Sequence, residues 1–413
     1  MDNRSKTLDA AAAICYVAFV FAGVYKSAPF LEWVPIDLTA LLGSAALAVS
    51  AALVARGGIA PTVPSLVVPT LFGLFAGYAV LSGLWTPSTE YYFSKSLRLV
   101  AVTGPALGLG SVVIATSARR LRYAGFATAG LAFATALETL SRYRLAGAGA
   151  ELTPFGTNYL ITGRAVGLGL LLAVSYLVLS REDRTLAAAA AVGAVPMGYA
   201  LLVGGARGPT VAAAGAIGLL VLAGVALGTL PNGRLALIGY VATGFVSLIA
   251  LVTVARQLRV VQRLLTLVDG PGRSLGLRLE YWTDTLAALR PGALLLGEGL
   301  GAWPVLVTPG ADVRYYPHNV VLEVLFELGV VGLLALGVLL GYAASHLVRE
   351  WLASRDPTHL VLAVLFAYML ANVLVTGDLN DNRYLFAIVG AMAYDAGSRR
   401  SDAVRSALEG RIA

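Results

Sequence analysis

The chain has 413 residues, of which 58% are hydrophobic and only 13% charged; its mean hydropathy is +0.78 and its formal net charge +7. Soluble globular proteins carry about 25% charged residues, so a large soluble core is excluded and a polytopic all-α membrane protein is indicated. The single cysteine, Cys15, excludes a disulfide framework and a Cys-based metal site. The positive balance suits anionic lipid and an anionic ligand equally, and nothing points to nucleic acid.

Residues 1–6 precede an apolar stretch with no small-residue cleavage site, so that stretch reads as a retained first span. A span needs roughly 17–25 apolar residues. Twelve segments qualify: 8–25, 38–55, 65–85, 98–116, 123–141, 165–180, 185–205, 210–230, 235–255, 319–345, 360–376 and 384–397. Pro69, Pro105 and Pro196 lie inside spans and predict local kinks. Lys and Arg in short loops favour one face, as in Arg119, Arg120, Arg122, Arg181, Arg184 and Arg349. The positive-inside rule then places both termini in the cytoplasm and the long loop 256–318 on the opposite, periplasmic side. The expected organisation is nine spans over 1–255, a structured loop over 256–318, and three spans with a cytoplasmic tail over 319–413.

The long loop is patterned. Arg256, Arg259 and Arg263 share one helical face, with Leu258, Val261, Leu264 and Leu265 largely elsewhere. Such a helix lies flat on a membrane interface, and its arginines suit lipid phosphate as well as a bound ligand. Asp269-Gly270-Pro271-Gly272 breaks it. A second amphipathic helix follows, with Leu275, Leu279, Trp282, Leu286 and Leu289 on one stripe. Arg278 precedes Tyr281 and Trp282 by three and four residues, so those rings share its helix face and could hold the guanidinium flat.

Three histidines occur. His346 and His359 flank a cytoplasmic loop and read as interfacial. His318 lies where the long loop meets the tenth span, in Pro317-His318-Asn319. An imidazole there can accept a proton near neutral pH, and it equally suits a helix cap. Arg207 is the only charge in a tight turn between the seventh and eighth spans, on the side of His318. It suits phosphate binding and snorkelling to headgroups alike. Glu323 and Glu327 share a face of the tenth span, roughly 140–180° round the helix from His318. Carboxylates just inside a membrane usually pair, and an arginine from the loop is the expected partner. Asp378, Asn380, Asp381 and Arg383 add polar groups on the same side. The chain has no Walker-type phosphate loop, no spaced His/Cys cluster and no Asp-x-Asp in its outer loops, so neither ATP nor a metal is called for.

Taken together, Gly276-Leu277-Arg278 through Trp282, Gly297-Glu298-Gly299-Leu300-Gly301, Pro317-His318-Asn319 and Glu327-Leu328-Gly329 resemble the shared region of O-antigen ligases and O-antigen polymerases. Arg207 stands in the matching upstream turn, with Ala206 where the family often has serine. The specific resemblance spans roughly 200–335. It implies a GT-C-like membrane glycosyltransferase of the bacterial inner membrane, independent of metal and of any cofactor, with its site on the periplasmic side. The donor it implies is a glycan on undecaprenyl diphosphate, and the acceptor is a hydroxyl of a lipid A–core sugar or of a growing glycan. By resemblance, His318 is the general base. Arg207 and Arg278 bind the diphosphate, and Tyr281, Trp282 and Asn319 join them as diphosphate- or substrate-binding residues, with Glu323, Glu327, Arg256, Arg259, Arg263, Arg314 and Arg383 in support. A polymerase or a protein O-oligosaccharyltransferase would use the same donor type. A lipid-linked oligosaccharide flippase would instead show mid-membrane polar groups and an internal repeat, and neither is evident.

Overall fold

The computed structural model describes residues 3–146, 152–179, 183–228, 273–308, 312–380 and 382–397. The predicted ninth span, the helix of Arg256, Arg259 and Arg263, Asp381 and the C-terminal tail lie outside the described residues. Among the described residues the chain is all-helical, with no strand. The helices are α1 (Asn3–Tyr25), α2 (Leu38–Ala55), α3 (Val63–Leu81), α4 (Glu90–Ile114), α5 (Ala118–Ala146), α6 (Tyr159–Leu179), α7 (Arg184–Val203), α8 (Arg207–Ala226), α9 (Arg273–Ala287), α10 (Ala302–Val307), α11 (Val320–Ser354), α12 (Pro357–Val373) and α13 (Arg383–Ala391).

Eight of these are long and apolar enough to cross a membrane, α1–α4, α6–α8 and α11, and the protein is a multi-pass membrane protein. The remaining predicted spans differ for physical reasons. The fifth forms a 29-residue helix, α5, dotted with Arg119, Arg120, Arg122, Glu138 and Arg142. The eleventh, α12, has 17 residues and the twelfth, α13, only 9. Pro69 and Pro196 sit inside continuous helices. Pro105 lies between two wide turns of α4, at Leu99–Thr103 and Gly110–Ile114, which absorb its missing donor.

The bundle packs in hairpins: α1 on α2 and α5, α6 on α5, α7 and α8, α12 on α8 and α6, and α13 on α4. Small residues and close backbone approaches fill these seams, as expected where lipid offers no hydrophobic drive between helices. Tyr16 of α1 donates from its hydroxyl to the carbonyl of Ala106 in α4 at 2.9 Å.

One break organises the end of the molecule that carries the long loop. At 35 residues α11 exceeds what a bilayer requires, and it is interrupted at Gly329 (φ 64, ψ −166). An interrupted helix exposes backbone groups, and here the loop 294–299 threads the gap and satisfies them. The amides of Val330 and Val331 donate to the carbonyls of Leu294 and Leu295 at 2.9 and 3.1 Å. In return, those of Glu298 and Gly299 donate to Phe326 and Glu327 at 2.9 and 2.8 Å. Tyr78 of α3 donates to Leu296 and Leu328 at 2.8 and 3.2 Å. The two backbones meet at Gly297 and Gly329, both with positive φ, where a Cβ on either would lie 2.3–2.5 Å from the other segment. The Gly-x-Gly and Glu-x-Gly motifs are thus two halves of one backbone lock. Gly329→Ala combines a strained φ with that clash and should destabilise the protein by about 1–3 kcal/mol or more. A lowered melting temperature in detergent checks this, and wild-type melting would show that the lock tolerates a side chain.

Candidate functional site

A small second core positions the loop helix α9. Trp303 of α10 is fully buried against Phe326 of α11, with Tyr281, Ala288 and Leu289 packed around it. The Trp303 indole donates to Thr285 at 2.8 Å, and its ring meets Tyr281 edge-on at 5.6 Å. The face of α9 that packs is therefore the one bearing Tyr281 and Thr285. Leu279 and Leu286, expected on its buried stripe, are exposed. They lie on a loop that also exposes Leu294, Leu295 and Leu296, an apolar surface suited to a bilayer interface.

His318 occupies the turn before α11 in a left-handed conformation, φ 58. That costs a non-glycine residue of order 1–3 kcal/mol and persists only where neighbours enforce it. Three devices do so. The Trp282 indole donates to the Pro317 carbonyl at 2.9 Å. The Asn319 side chain caps α11, accepting from the amides of Val321 and Leu322 at 2.9 and 3.1 Å. The imidazole lies between rings, 6.2 Å from Tyr281 in a near-parallel stack and 4.6 Å from Tyr316 edge-on. Tyr281 and Trp282 thus serve the histidine turn, although the spacing alone assigned them to Arg278, and the Asn319 side-chain oxygen is committed to the cap.

The imidazole Nδ1 is buried without a hydrogen-bond partner among the described residues. Burial, followed by the nearby guanidinium groups of Arg278 and Arg164, lowers the His318 pKa to about 4, against the opposing pull of Asp378. The ring is therefore neutral at physiological pH. Arg278 is depressed in turn by burial, then by Arg207 and more weakly by Arg164, with Tyr159 and Tyr316 opposing. Arg207 opens α8, and together with Arg278 it lines a cavity of about 160 Å³ walled by Tyr159, Gly205 and Thr376. The first turns of α6 and α8 line it, so two positive helix ends add to the guanidinium charge. A larger depression, about 410 Å³, lies against the last turns of α5. It holds Glu138 and Arg142, already bonded to each other at 2.6 Å, and none of the residues singled out from the sequence.

Beside this cavity lies a buried ion cluster. Among the described residues, Glu323 and Glu327 do not pair with a loop arginine. The ammonium of Lys95, in α4, donates to both, at 2.5 and 2.6 Å, and all three side chains are fully buried. Glu323 also accepts from the amide of Leu379 at 3.0 Å, and Asn380 donates to the Lys95 carbonyl at 2.8 Å. The cluster therefore ties α4, α11 and the α12–α13 turn together. Arg314 meets a different acid, Asp378, at 3.1 Å, and Asp378 also accepts from Tyr91 at 3.2 Å. Arg383 opens α13 and presses on α1 near Gly23; its Nη1 is buried without a partner among the described residues. His346 and His359, expected at an interface, are buried at the far ends of α11 and α12 beside Tyr394. Among the described residues, no three His, Cys, Asp or Glu side chains gather as a metal-ligating set.

Two residues here went unassigned in the sequence. Lys95 falls outside the apolar window 98–116 because the first turns of α4 are polar, Glu90–Arg98. Arg164 falls one residue before the window 165–180, yet α6 begins at Tyr159 and leaves Arg164 only 3% exposed. The missed signal was a lone cation within one or two turns of a span, each facing a loop rich in acids or amides.

Residues 192–337 match the Wzy_C family, described as O-antigen ligase, which is nearly the stretch that carries the motif resemblance. The matched region holds Arg207, Arg278, His318, Glu323, Glu327 and Gly329. Lys95, Arg164 and Asp378 lie outside it. No curated protein matches the chain.

Removing one partner of a buried ion cluster costs about 3–5 kcal/mol, because the remaining charges stay unpaired. Lys95→Met should therefore destabilise the protein by that order. The triple variant Lys95→Met/Glu323→Gln/Glu327→Gln should recover much of the loss. Thermal melting in detergent decides; a single variant as stable as wild type would show that the cluster is not structural.

Proposed function

We propose, taking the match of residues 192–337 to the Wzy_C family as the premise, that the protein is an O-antigen ligase. It transfers a glycan from undecaprenyl diphosphate to a sugar hydroxyl of lipid A–core on the periplasmic face of the inner membrane. The carrying observation is that Arg207 and Arg278, far apart in sequence, line one cavity, and that Arg278 stands within electrostatic reach of a neutral, sterically fixed imidazole, His318.

The chemistry follows from those groups. His318 takes the proton of the acceptor hydroxyl as that oxygen attacks the anomeric carbon. The bond from that carbon to the diphosphate oxygen breaks, and its electron pair leaves with the undecaprenyl diphosphate. Arg207 and Arg278 hold the diphosphate and stabilise the charge it gains, the electrostatic task a divalent metal performs elsewhere. A single displacement inverts the anomeric configuration. A depressed imidazole pKa suits this cycle: the base is ready unprotonated, and an arriving dianionic diphosphate offsets Arg278, strengthening the base once the donor is bound.

A polymerase would run the same chemistry with a second lipid-linked glycan as acceptor. A deletion strain separates the two: unattached long chains retained on the lipid carrier mean ligase, and loss of chain length means polymerase.

In vitro transfer from a purified lipid diphosphate glycan, in chelator, tests the chemistry. His318→Ala should lower kcat by about 10²–10⁴ while the protein still inserts; near wild-type transfer would remove the base assignment. Arg278→Lys should lose about tenfold or more in kcat/KM, because a point charge does not reproduce a planar two-pronged grip. An unimpaired lysine variant would make this arginine structural. Since only neutral His318 acts, kcat/KM should fall as pH drops toward about 4 and hold above it. An acid limb at the ordinary histidine value would contradict the buried, cation-flanked imidazole.

A further inference from the structure

One member of the cation cluster lies outside the family match and has no role in the reading above. Arg164 sits in the second turn of α6 and is 3% exposed. Its Nη1 donates to the Asn382 side chain at 3.3 Å. Its Nε is buried with no hydrogen-bond partner among the described residues. No carboxylate forms an ion pair with it among those residues; the nearby Asp378 is engaged by Arg314 and Tyr91. A buried guanidinium with no ion pair among the described residues, holding a donor unsatisfied among them, is an expensive arrangement in a folded protein. Such an arrangement calls for an anion.

Position says which anion. Leu160, four residues earlier and hence on the same helix face, lines the cavity shared by Arg207 and Arg278. Across the cavity wall, the Arg164 guanidinium lies against Gly377, whose added Cβ would fall 3.0 Å from Nη2, beside cavity-lining Thr376. Gly377, with φ 81, leaves no side chain there. The charge of Arg164 reaches both Arg278 and His318.

We propose that Arg164 is a third guanidinium of the diphosphate site, acting from one helical turn deeper than Arg207 and Arg278 on the diphosphate as it leaves. The proposal rests on the glycosyl-transfer reading. When the bond between the anomeric carbon and the diphosphate oxygen breaks, the electron pair stays on that oxygen and the acceptor's proton goes to His318. The departing diphosphate then carries one more negative charge than it did as a diester. Two arginines match the donor, and the third matches the charge that appears only as the bond breaks. Such a group raises kcat more than it lowers KM.

The test uses the full chain in nanodiscs, as wild type, Arg164→Gln and Arg164→Lys, with inorganic pyrophosphate as the probe. Arg164→Gln should lower kcat by about tenfold to a hundredfold while donor KM changes much less. It should also weaken inhibition by pyrophosphate and move the acid limb of kcat/KM to higher pH, because a cation near His318 is gone. Arg164→Lys keeps the charge, so its acid limb should stay near wild type while pyrophosphate inhibition weakens. It also remains informative should the glutamine variant fail to fold. A folded Arg164→Gln protein with unchanged pyrophosphate inhibition and an unchanged acid limb would overturn the role of Arg164 alone. Failure of wild-type protein to bind pyrophosphate or to transfer glycan would instead overturn the reading on which the proposal rests.

Discussion

Clustered positive charge is the constraint on which the rest of this structure depends. Arg164 and Arg207 stand within electrostatic reach of Arg278, and Arg164 and Arg278 within reach of His318. The carboxylates nearby are engaged elsewhere: Glu323 and Glu327 by Lys95, and Asp378 by Arg314 and Tyr91. Like charges held together in a partly buried pocket repel, and folding alone gives no reason to assemble them. A doubly charged ligand reverses the sign of that interaction. The acids are placed so that they brace the site without neutralising it.

The bracing is built from polar contacts that a membrane interior penalises unless complete. The loop 294–299 supplies the backbone partners that the break at Gly329 leaves without an intrahelical bond. Lys95 fixes the register of α4 against α11, and the Leu379 amide joins the α12–α13 turn to the same cluster. From this frame the Trp282–Pro317 bond and the Asn319 cap hold His318 in a backbone conformation it would not adopt alone. Strain at the histidine is sustained by rigidity around it, which fixes where the imidazole points before any substrate arrives.

Much of this was legible in the chain. The motifs between Gly276 and Gly329 carried a resemblance that the match over residues 192–337 bears out. Arg207, Arg278 and His318 could be singled out because isolated charges stand out against apolar spans. What escaped were the residues whose meaning depends on packing. Hydropathy windows trimmed Lys95 and Arg164 off their helices, because a cation in the first turns lowers the local average even where the helix continues and buries it. Pairing partners escaped for the same reason: no spacing rule joins Lys95 to Glu323 across 228 positions. Aromatic roles shifted as well, since Tyr281 and Trp282 face the histidine turn through tertiary contacts that helix geometry alone does not contain.

The claim that imidazole and guanidinium groups share one anion pocket can be measured at the imidazole itself. In a protein whose other two histidines are replaced, isotope-labelled His318 can be titrated by NMR with and without a lipid diphosphate. The account predicts a pKa far below the usual 6.5, near 4 in the free protein, and a rise once the diphosphate binds. An ordinary value that ignores the diphosphate would contradict it.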